Sequence, residues 1–547
     1  MILDFNPETG AYLVKVPRAE KALVLELMSE YGLDFSKPDS RGAEAVLFTR
    51  EPFAACPFAH VATPLAHSQL LPLLEQIDAS RAVDNPIRPV TPIDRELWPF
   101  QRASLAYAMN RRATLIGDEP GLGKTPIAIT FANQIQAERI LVVCPANIRL
   151  QWIRRIREWT TMVYPFSVHA ILTASHGVHP KANWTIVSYD MARVPAIGRA
   201  LAANKYDLVI CDEIHYAKTV DAKRTRALFG GGASPIHLPI VESADRVLGL
   251  SGTPLPNRPR EAYTIARALC FDAIDWMSED AFRTRFNPSK RIERIDPVTG
   301  RTSFFIDERS GRHAELQARM RAHFMVRHLK RQVMPQLKLP VFDLIQLETT
   351  GPVLQALKAE SLLKIDPSNL QGANAAILGQ VATVRRMMGV ALAPQIANYA
   401  AMLLDSGEEK LTLFAWHIEV LDILERALQK YGVVRIDGST SAKQKQDRVD
   451  MFIQNPACHV IIGNLLSMGT GTDGLQEVCY HGLIAEPSWT PGENIQAFDR
   501  LDRGGQRNAV QGEIFVAPNS IAERVLASAL TKLHVTHNTL DREGIMI

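Results

Sequence analysis

Residues 114–126 read TLIGDEPGLGKTP, an apolar run, a glycine-rich turn and a Lys-Thr pair. The apolar run suits a buried strand. The residues after the turn suit the first turn of a helix, where the missing N–H of Pro126 costs little. Against the phosphate-loop pattern G-x-x-x-x-G-K-[ST], Gly123, Lys124 and Thr125 match, while Asp118 stands at the first glycine position. Gly121 and Gly123 let backbone N–H groups turn toward phosphate oxygens. Lys124 would neutralise β/γ-phosphates, the Thr125 hydroxyl would hold Mg²⁺, and the helix N-terminus would add positive potential. A strand, loop and helix in this order predict a parallel α/β layer.

Around this stretch the same pattern recurs. RILVVCP (139–145), TIVSY (185–189), DLVICD (207–212) and RVLGLSG (246–252) are short apolar runs ending in polar or small residues, as buried parallel strands do. A second α/β pattern begins near 405, with KLTLFAW (410–416), VVRIDG (433–438), HVIIGN (459–464) and GEIFVAP (512–518). Between them, 271–404 reads as a helical connection with basic stretches and a hairpin candidate at 296–302. Residues 1–90 read as a small α+β accessory unit, with strands at 11–16 and 43–49, helices at 19–32 and 68–77, and a three-proline linker at 83–94. The organisation expected is therefore 1–90 accessory, 91–270 first α/β domain, 271–404 connection and 405–547 second α/β domain.

DLVICDEIH (207–215) ends an apolar strand in two carboxylates. Asp212 could reach a Mg²⁺-bound water, Glu213 could polarise an attacking water, and His215 could sense a γ-phosphate. The alternative is an acidic strand end in solvent. QAFDRLDRGGQ (496–506) carries Arg500 and Arg503 at i, i+3. On a helix both would project from one face, and from a second domain they could complete a phosphate site on closure. A solvated charged surface is the other reading, and it suits Asp502 better than the arginines.

Composition sets the outer limits. The 547 residues have net charge +3, 46% hydrophobic and 22% charged residues, the values of an ordinary globular chain of roughly three to four domains. With 32 Gly and 33 Pro there is no collagen-like or low-complexity signature. ILVV (140–143) and HVIIGNLL (459–466) fall short of the ~18–20 apolar residues that cross a bilayer. No membrane partner is expected, and MILDFNPETG lacks the basic start of a secretory signal. Six scattered cysteines without a CxxC pair suit a reducing compartment, cytoplasmic, nucleoid-associated or nuclear. The small net charge excludes a polybasic tail but not a local basic face for nucleic acid.

Taken in order, these motifs resemble the Swi/Snf-type helicase-like ATPases of helicase superfamily two, over about residues 91–530. LWPFQ (97–101) looks like the family's L-x-P-[YF]-Q, which implies that Gln101 reads adenine. GDEPGLGKT looks like its D-E-x-G-L-G-K-T loop, which accounts for Asp118. VVCPANIRLQW (142–152) resembles motif Ia, implying DNA-backbone contacts near Pro145 and Asn147. DEIHYAKT resembles D-E-x-H-x-x-K-N, with Thr219 departing from Asn. LSGTPLPNRPREAY (250–263) is similar to L-[TS]-G-T-P-x-x-N-x-x-x-E-x-Y, implying that Ser251 and Thr253, with His215, couple hydrolysis to the DNA path. FMVRHLKRQVMPQL (324–337) resembles the basic helix before the second lobe, with His328 where a second Arg is common. RIDGSTS (435–441) and MGTGTDGLQ (468–476) resemble motifs IV–V, implying nucleic-acid contacts at Gly438, Ser439 and Thr440 and a nucleotide contact at Asp473. EPSWTPGENIQAFDRLDRGGQ looks like D-P-x-W-N-P…Q-A-x-x-R-x-x-R-x-G-Q, which adds Gln496 as a coupling residue.

The resemblance implies two RecA-like parallel-sheet lobes, ATP and Mg²⁺ as cofactors, and duplex or forked DNA and DNA-bound proteins as partners. FAWHIEVLDILERAL (414–428) and RRMMGVALAPQIANYA (385–400) resemble the compact fork-remodelling branch related to annealing helicases. The activity implied is ATP-driven translocation on duplex DNA. The alternatives are a strand-separating DNA or RNA helicase and an ATP-gated nucleic-acid clamp. Arg149, Arg154, Arg155 and Arg157 are either a DNA grip or a solvated basic helix, while Trp152 and Trp159 read as core.

Overall fold

A computed structural model describes residues 1–526 apart from 18–19, 30, 32, 36–43, 164, 232–237, 253, 255–258, 296–301, 309–310, 339, 363–374, 466–467, 469–473, 489–493, 495–496, 521 and 525. Its centre is a seven-stranded parallel sheet in the spatial order Met325–Val326, Ala113–Ile116, Ala244–Leu250, Tyr206–Asp212, Ile140–Cys144, Trp184–Ser188, Val168–Ile171. The strand Ile140–Cys144 is buried at every residue. Successive side chains of a strand point to opposite faces. Leu141 and Val143 accordingly join one core, with Val187, Val209 and Val247, and Ile140, Val142 and Cys144 join another, with Ile186, Ile210 and Leu248. Both faces are apolar because helices cover both.

A second parallel sheet has six strands in the order Val341–Gln346, Gln511–Val516, His481–Ile484, Leu411–Ala415, Val460–Asn464, Val433–Ile436. The helices Ala375–Asp405 and Ile418–Leu428 pack on it through Leu392, Ile396, Val420 and Leu424. The stretch Gly379–Asp405 is, by length and composition, apolar enough to cross a membrane, which a search for unbroken apolar runs passes over because Arg385 and Arg386 interrupt it. The 271–404 stretch gives Met325–Val326 to the first sheet and Val341–Gln346 to the second. Its hairpin pairs Ser289–Ile295 with Thr302–Glu308 antiparallel, around a turn outside the described residues.

The N-terminal residues build a four-stranded antiparallel sheet, ordered Ile2–Asn6, Ala11–Pro17, Glu44–Thr49, Asp34–Phe35, beside the helix Pro64–Arg81. Its core extends into the helix His313–His323, whose Ala314, Ala318 and Ala322 join Leu70 and Ile77, while Leu316 and Met320 face the first sheet's core. The basic sequence HAELQARMRAH is nevertheless buried, because Arg319 donates to Glu51 at 2.5 Å and to Glu315 at 2.9 Å and lies 2.8 Å from Asp275. Pairing is the condition under which a charge enters a core.

Candidate nucleotide site

The register of three neighbouring strands assembles the first half of the site. Leu250 pairs with both Ile116 and Asp212, so the chain leaves all three strands at one edge of the sheet. From there issue the glycine-rich loop, Ser251 and Glu213. Gly121 and Gly123 take φ of +87° and +76°, which a side chain resists. A Cβ at Gly121 would also meet Arg503 Cγ at 2.9 Å, and one at Gly123 would meet Gln101 Nε2 at 2.5 Å. The helix Lys124–Gln134 begins directly after Gly123.

Lys124 Nζ donates to the carbonyls of Asp118 at 2.8 Å and Glu119 at 3.3 Å, within its own loop. Burial lowers its pKa, against the pull of Glu213, Asp118 and Asp212. Asp212 ends its strand with Oδ2 accepting from Trp152 Nε1 at 2.7 Å and its carbonyl accepting from Tyr189 Oη at 2.9 Å. Burial and the neighbouring Glu213 raise the Asp212 pKa, while the Trp152 hydrogen bond and Lys124 oppose the shift. Glu213 sits at φ +52°, ψ +54°, a left-handed conformation that costs a non-glycine residue about 1–2 kcal/mol. Burial raises its pKa as well, against Lys124 and Arg500. Both carboxylates are half-buried, so this acidic strand end is partly shielded from solvent.

His215 Nδ1 lies 2.9 Å from Ser251 Oγ, and Ser251 Oγ donates to Glu213 Oε2 at 3.5 Å. Burial drives the His215 pKa down to about 3, so the ring is neutral near pH 7. Ser251 is fully buried, and its N–H donates to Ile116 O at 3.2 Å, which ties the two strand ends together.

A cavity of about 300 Å³ opens over these groups, a volume at the lower end of small-molecule sites. The first sheet contributes Lys124, Thr125, Asp212 and Glu213 to its wall, and the second contributes Arg500 and Arg503. The arginines occupy a turn rather than the helix the i, i+3 spacing suggests: Arg500 N donates to Ala497 O and Arg503 N to Leu501 O, both at 3.2 Å. They still face one cavity. Asp502, read as solvated, is buried and accepts from Lys330 Nζ at 2.7 Å. Burial was hidden because its partner lies 172 residues away in sequence.

The remaining expected residues divide. Gln101 is buried, its Oε1 accepting from Trp98 N and its Nε2 donating to Leu122 O, both at 2.9 Å, so its amide braces the phosphate loop. Pro145 is buried and lines the cavity itself. The backbone of Asn147 lies in the short helical turn after Pro145, but its side chain is outside the described residues. Gly438 and Ser439 are exposed on the turn after Val433–Ile436, where the hydroxyls of Ser439 and Thr440 donate to Asp437 Oδ1 at 2.6 and 3.3 Å. Thr253, Asp473 and Gln496 lie outside the described residues. Among the basic residues after Pro145, Arg154 and Arg155 both pair with Glu158, and Arg155 also reaches the cavity. Sequence reasoning missed Trp98 and Gln476, which also line it, and the bond from Trp152, whose place one turn into a helix gave no hint of an Asp212 contact.

Mg²⁺ fits this donor set. Thr125 and Asp212 present hard oxygens to the same cavity, and two half-buried carboxylates in adjacent positions call for positive charge. Two protein ligands suffice for an ion that keeps most of its waters, and among the described residues no cluster of three or more His, Cys, Asp or Glu suits another metal.

Residues 100–394, more than half of the chain, match the family model described as SNF2-related domain. The DNA annealing helicase and endonuclease ZRANB3 of Mus musculus is 27% identical over 82% of this chain and 41% of its own length. The SWI/SNF-related matrix-associated actin-dependent regulator of chromatin subfamily A-like protein 1 of Xenopus laevis is 30% identical over 77% of this chain and 42% of its own. The chain thus spans about two fifths of the length of these curated relatives. A solved structure titled Sulfolobus solfataricus SWI2/SNF2 ATPase core in complex with dsDNA aligns with 84% of this chain and 99% of its own, at 16% identity and a TM-score of 0.39. With the phosphate loop, the paired carboxylates and the two arginines gathered on one cavity between two parallel sheets, and with the family model covering more than half its length, the chain belongs to the SNF2-related family of ATPases.

Proposed function

We propose that this protein is an ATP-dependent translocase on double-stranded DNA that remodels DNA or protein–DNA complexes. In this reading residues 91–270 and 405–547 are RecA-like lobes, 271–404 joins them and 1–90 is accessory. One observation carries it: Lys124, Asp212 and Glu213 from one sheet and Arg500 and Arg503 from the other line a single cavity. An active site divided between two bodies is complete only when they are closed, so each round of hydrolysis is linked to opening and closing. That relatives carry the name DNA annealing helicase supports DNA as the polymer and favours rewinding over strand separation. Turnover-competent groups throughout the cavity weigh against a passive clamp.

Each side chain then has a defined task. Lys124 exchanges its loop carbonyls for the β/γ-phosphates of ATP. Thr125 and Asp212 hold Mg²⁺, which when bound screens the charge of the phosphate oxygens. Glu213, its pKa raised by burial, accepts a proton from the attacking water more readily than an exposed glutamate would. Arg500 and Arg503 face the charge that develops on the transferred group. Ser251 and His215 tie Glu213 to the neighbouring strand end, so movement of the segment after Leu250 reaches the carboxylate. Gln101 braces the loop under the nucleotide and reads its adenine. Asn147 and the turn at Gly438, Ser439 and Thr440 supply backbone contacts to DNA, one from each lobe.

ATP turnover with and without duplex DNA is the first test, followed by triplex displacement beside unwinding and annealing of a forked duplex. Duplex-stimulated turnover with triplex displacement supports translocation. Turnover indifferent to DNA, or unwinding without displacement, rejects it. Stimulation should weaken with salt, since log affinity falls linearly with log salt as phosphate-bound counterions are released.

A further inference from the structure

Between the two sheets runs a segment that touches the phosphate loop and the arginine turn at once. Its residues are Arg327, His328, Leu329 and Lys330. Arg327 donates to Gly252 O at 3.1 Å and to Gly117 O. His328 lies with Nδ1 2.8 Å from Asp118 Oδ1. Glu119, next in the loop, donates its N–H to His328 O at 3.1 Å and accepts the Lys330 N–H at its Oε2 at 2.6 Å. The backbone at 328–330 is therefore zipped to the loop residue two positions before Gly121.

The Lys330 side chain leaves this zipper in the opposite direction. Its Nζ donates to Asp502 Oδ2 at 2.7 Å and to Asp499 Oδ1. All three side chains are about nine-tenths buried, at 12%, 10% and 11% exposure. Asp499 in turn accepts Arg503 Nε on its carbonyl at 2.7 Å. Asp499 and Asp502 immediately precede Arg500 and Arg503 in sequence, so whatever fixes the two carboxylates fixes the bases of the two arginines.

We propose that Lys330 is a positioning residue for ATP hydrolysis: it carries the position of the phosphate loop to the arginine turn and keeps Asp499 and Asp502 from competing for the guanidinium groups. The proposal rests on the divided-site reading above. Its physical basis is length and charge. A single side chain spans from the Glu119 hydrogen bond to the arginine turn, so loop and turn move as one piece while the ammonium is in place. Without it, two buried carboxylates would be left beside Arg503, whose charge already acts on Asp499, and a guanidinium drawn onto one of these carboxylates would leave the cavity. Burial lowers the Lys330 pKa, but Asp499 and Asp502 outweigh it and raise the value, so the ammonium stays charged.

The test compares Lys330→Met, Lys330→Arg and the pair Lys330→Met/Arg503→Ala in the full chain. Readouts are kcat at saturating ATP and duplex DNA, affinity for a fluorescent ATP analogue, and melting temperature. Lys330→Met should lower kcat by about 10²-fold, the scale of a small misplacement of a reacting group, with analogue affinity little changed. Melting should fall, because two buried carboxylates lose their partner, so rates are read well below the transition. Lys330→Arg should recover most of the loss. In the Arg503→Ala background, Lys330→Met should cost little more, because its effect passes through the arginine turn. Wild-type kcat in folded Lys330→Met, a loss that tracks affinity, a loss that Lys330→Arg does not recover, or a full multiplicative loss in the pair would overturn the proposal. Glu213→Gln and Arg503→Ala alone run as controls. If both turn over normally the divided-site reading fails, whereas if both are inactive while Lys330→Met is not, only the Lys330 proposal fails.

Discussion

Replacing Trp152 with Phe removes one hydrogen bond from the centre of the site. The indole N–H donates to Asp212 Oδ2 at 2.7 Å, and Trp152 is 2% exposed, so no water takes its place without rearrangement. Asp212 is already pushed toward its protonated form by burial and by Glu213, and the indole is the first of the groups opposing that shift. A hydrogen bond to a charged acceptor contributes about 1.5–3 kcal/mol. At 1.36 kcal/mol per unit, its loss should raise the Asp212 pKa further by about 1–2 units. The sign follows: with the donor gone the carboxylate is less stable, more of it is protonated at neutral pH, and a protonated carboxyl is a poor Mg²⁺ ligand. The assay is the pH profile of ATP hydrolysis and the Mg²⁺ concentration for half-maximal rate. The acid limb should move up in pH by about 1–2 units and more Mg²⁺ should be needed near pH 7. Trp184→Phe is the control, because Trp184 is fully buried within a strand of the same sheet and its Nε1 has no partner among the described residues. An unshifted profile in Trp152→Phe, or equal shifts in both variants, would refute the reasoning.

Glu213→Gln should retain ATP binding and lose about 10²–10⁴-fold in turnover, because an amide is no base; a variant that fails to bind ATP would make Glu213 structural. Gly121→Ala places a Cβ at φ +87° and 2.9 Å from Arg503 Cγ, so ATP hydrolysis should slow by about tenfold or more, for a strain of about 1–2 kcal/mol. Wild-type rates there, with the fold checked by circular dichroism, would mean that the loop and the arginine turn do not pack together. His481 is buried between Glu408 and Glu513; burial lowers its pKa, but the two carboxylates outweigh it and push the pKa up to about 9. A raised histidine pKa stabilises the fold fully below its unfolded value and less as pH rises through the folded one. Melting temperature should therefore fall between about pH 6.5 and 9 in the wild type and fall less in His481→Gln; parallel curves for the two would contradict the buried charge.

The parallel sheets are legible because local signals suffice for them: each strand is a run of apolar residues ending in a small or polar one, and Asp212 or Ser251 falls at that end. The phosphate loop is legible for the same reason, since its glycines, Lys124 and Thr125 lie within a few residues. What escapes the sequence is contact across distance. Asp502 looks solvated until Lys330 is placed against it, and Arg319 looks exposed until Glu51 of the N-terminal unit closes over it. Val341–Gln346 reads as part of a connection because most of its residues are exposed and no alternation marks a buried face, yet backbone pairing makes it the edge of the second sheet. The i, i+3 spacing of Arg500 and Arg503 was informative about their shared direction and misleading about the local structure, since a turn can present both to one cavity.

The central claim is that two sheets share one catalytic site, and Arg503→Ala tests it most directly. With duplex DNA and saturating ATP, the account predicts a kcat reduced by about 10³-fold or more while affinity for an ATP analogue is retained, because the guanidinium acts on charge that develops only during reaction. Wild-type kcat in a folded Arg503→Ala chain would contradict it.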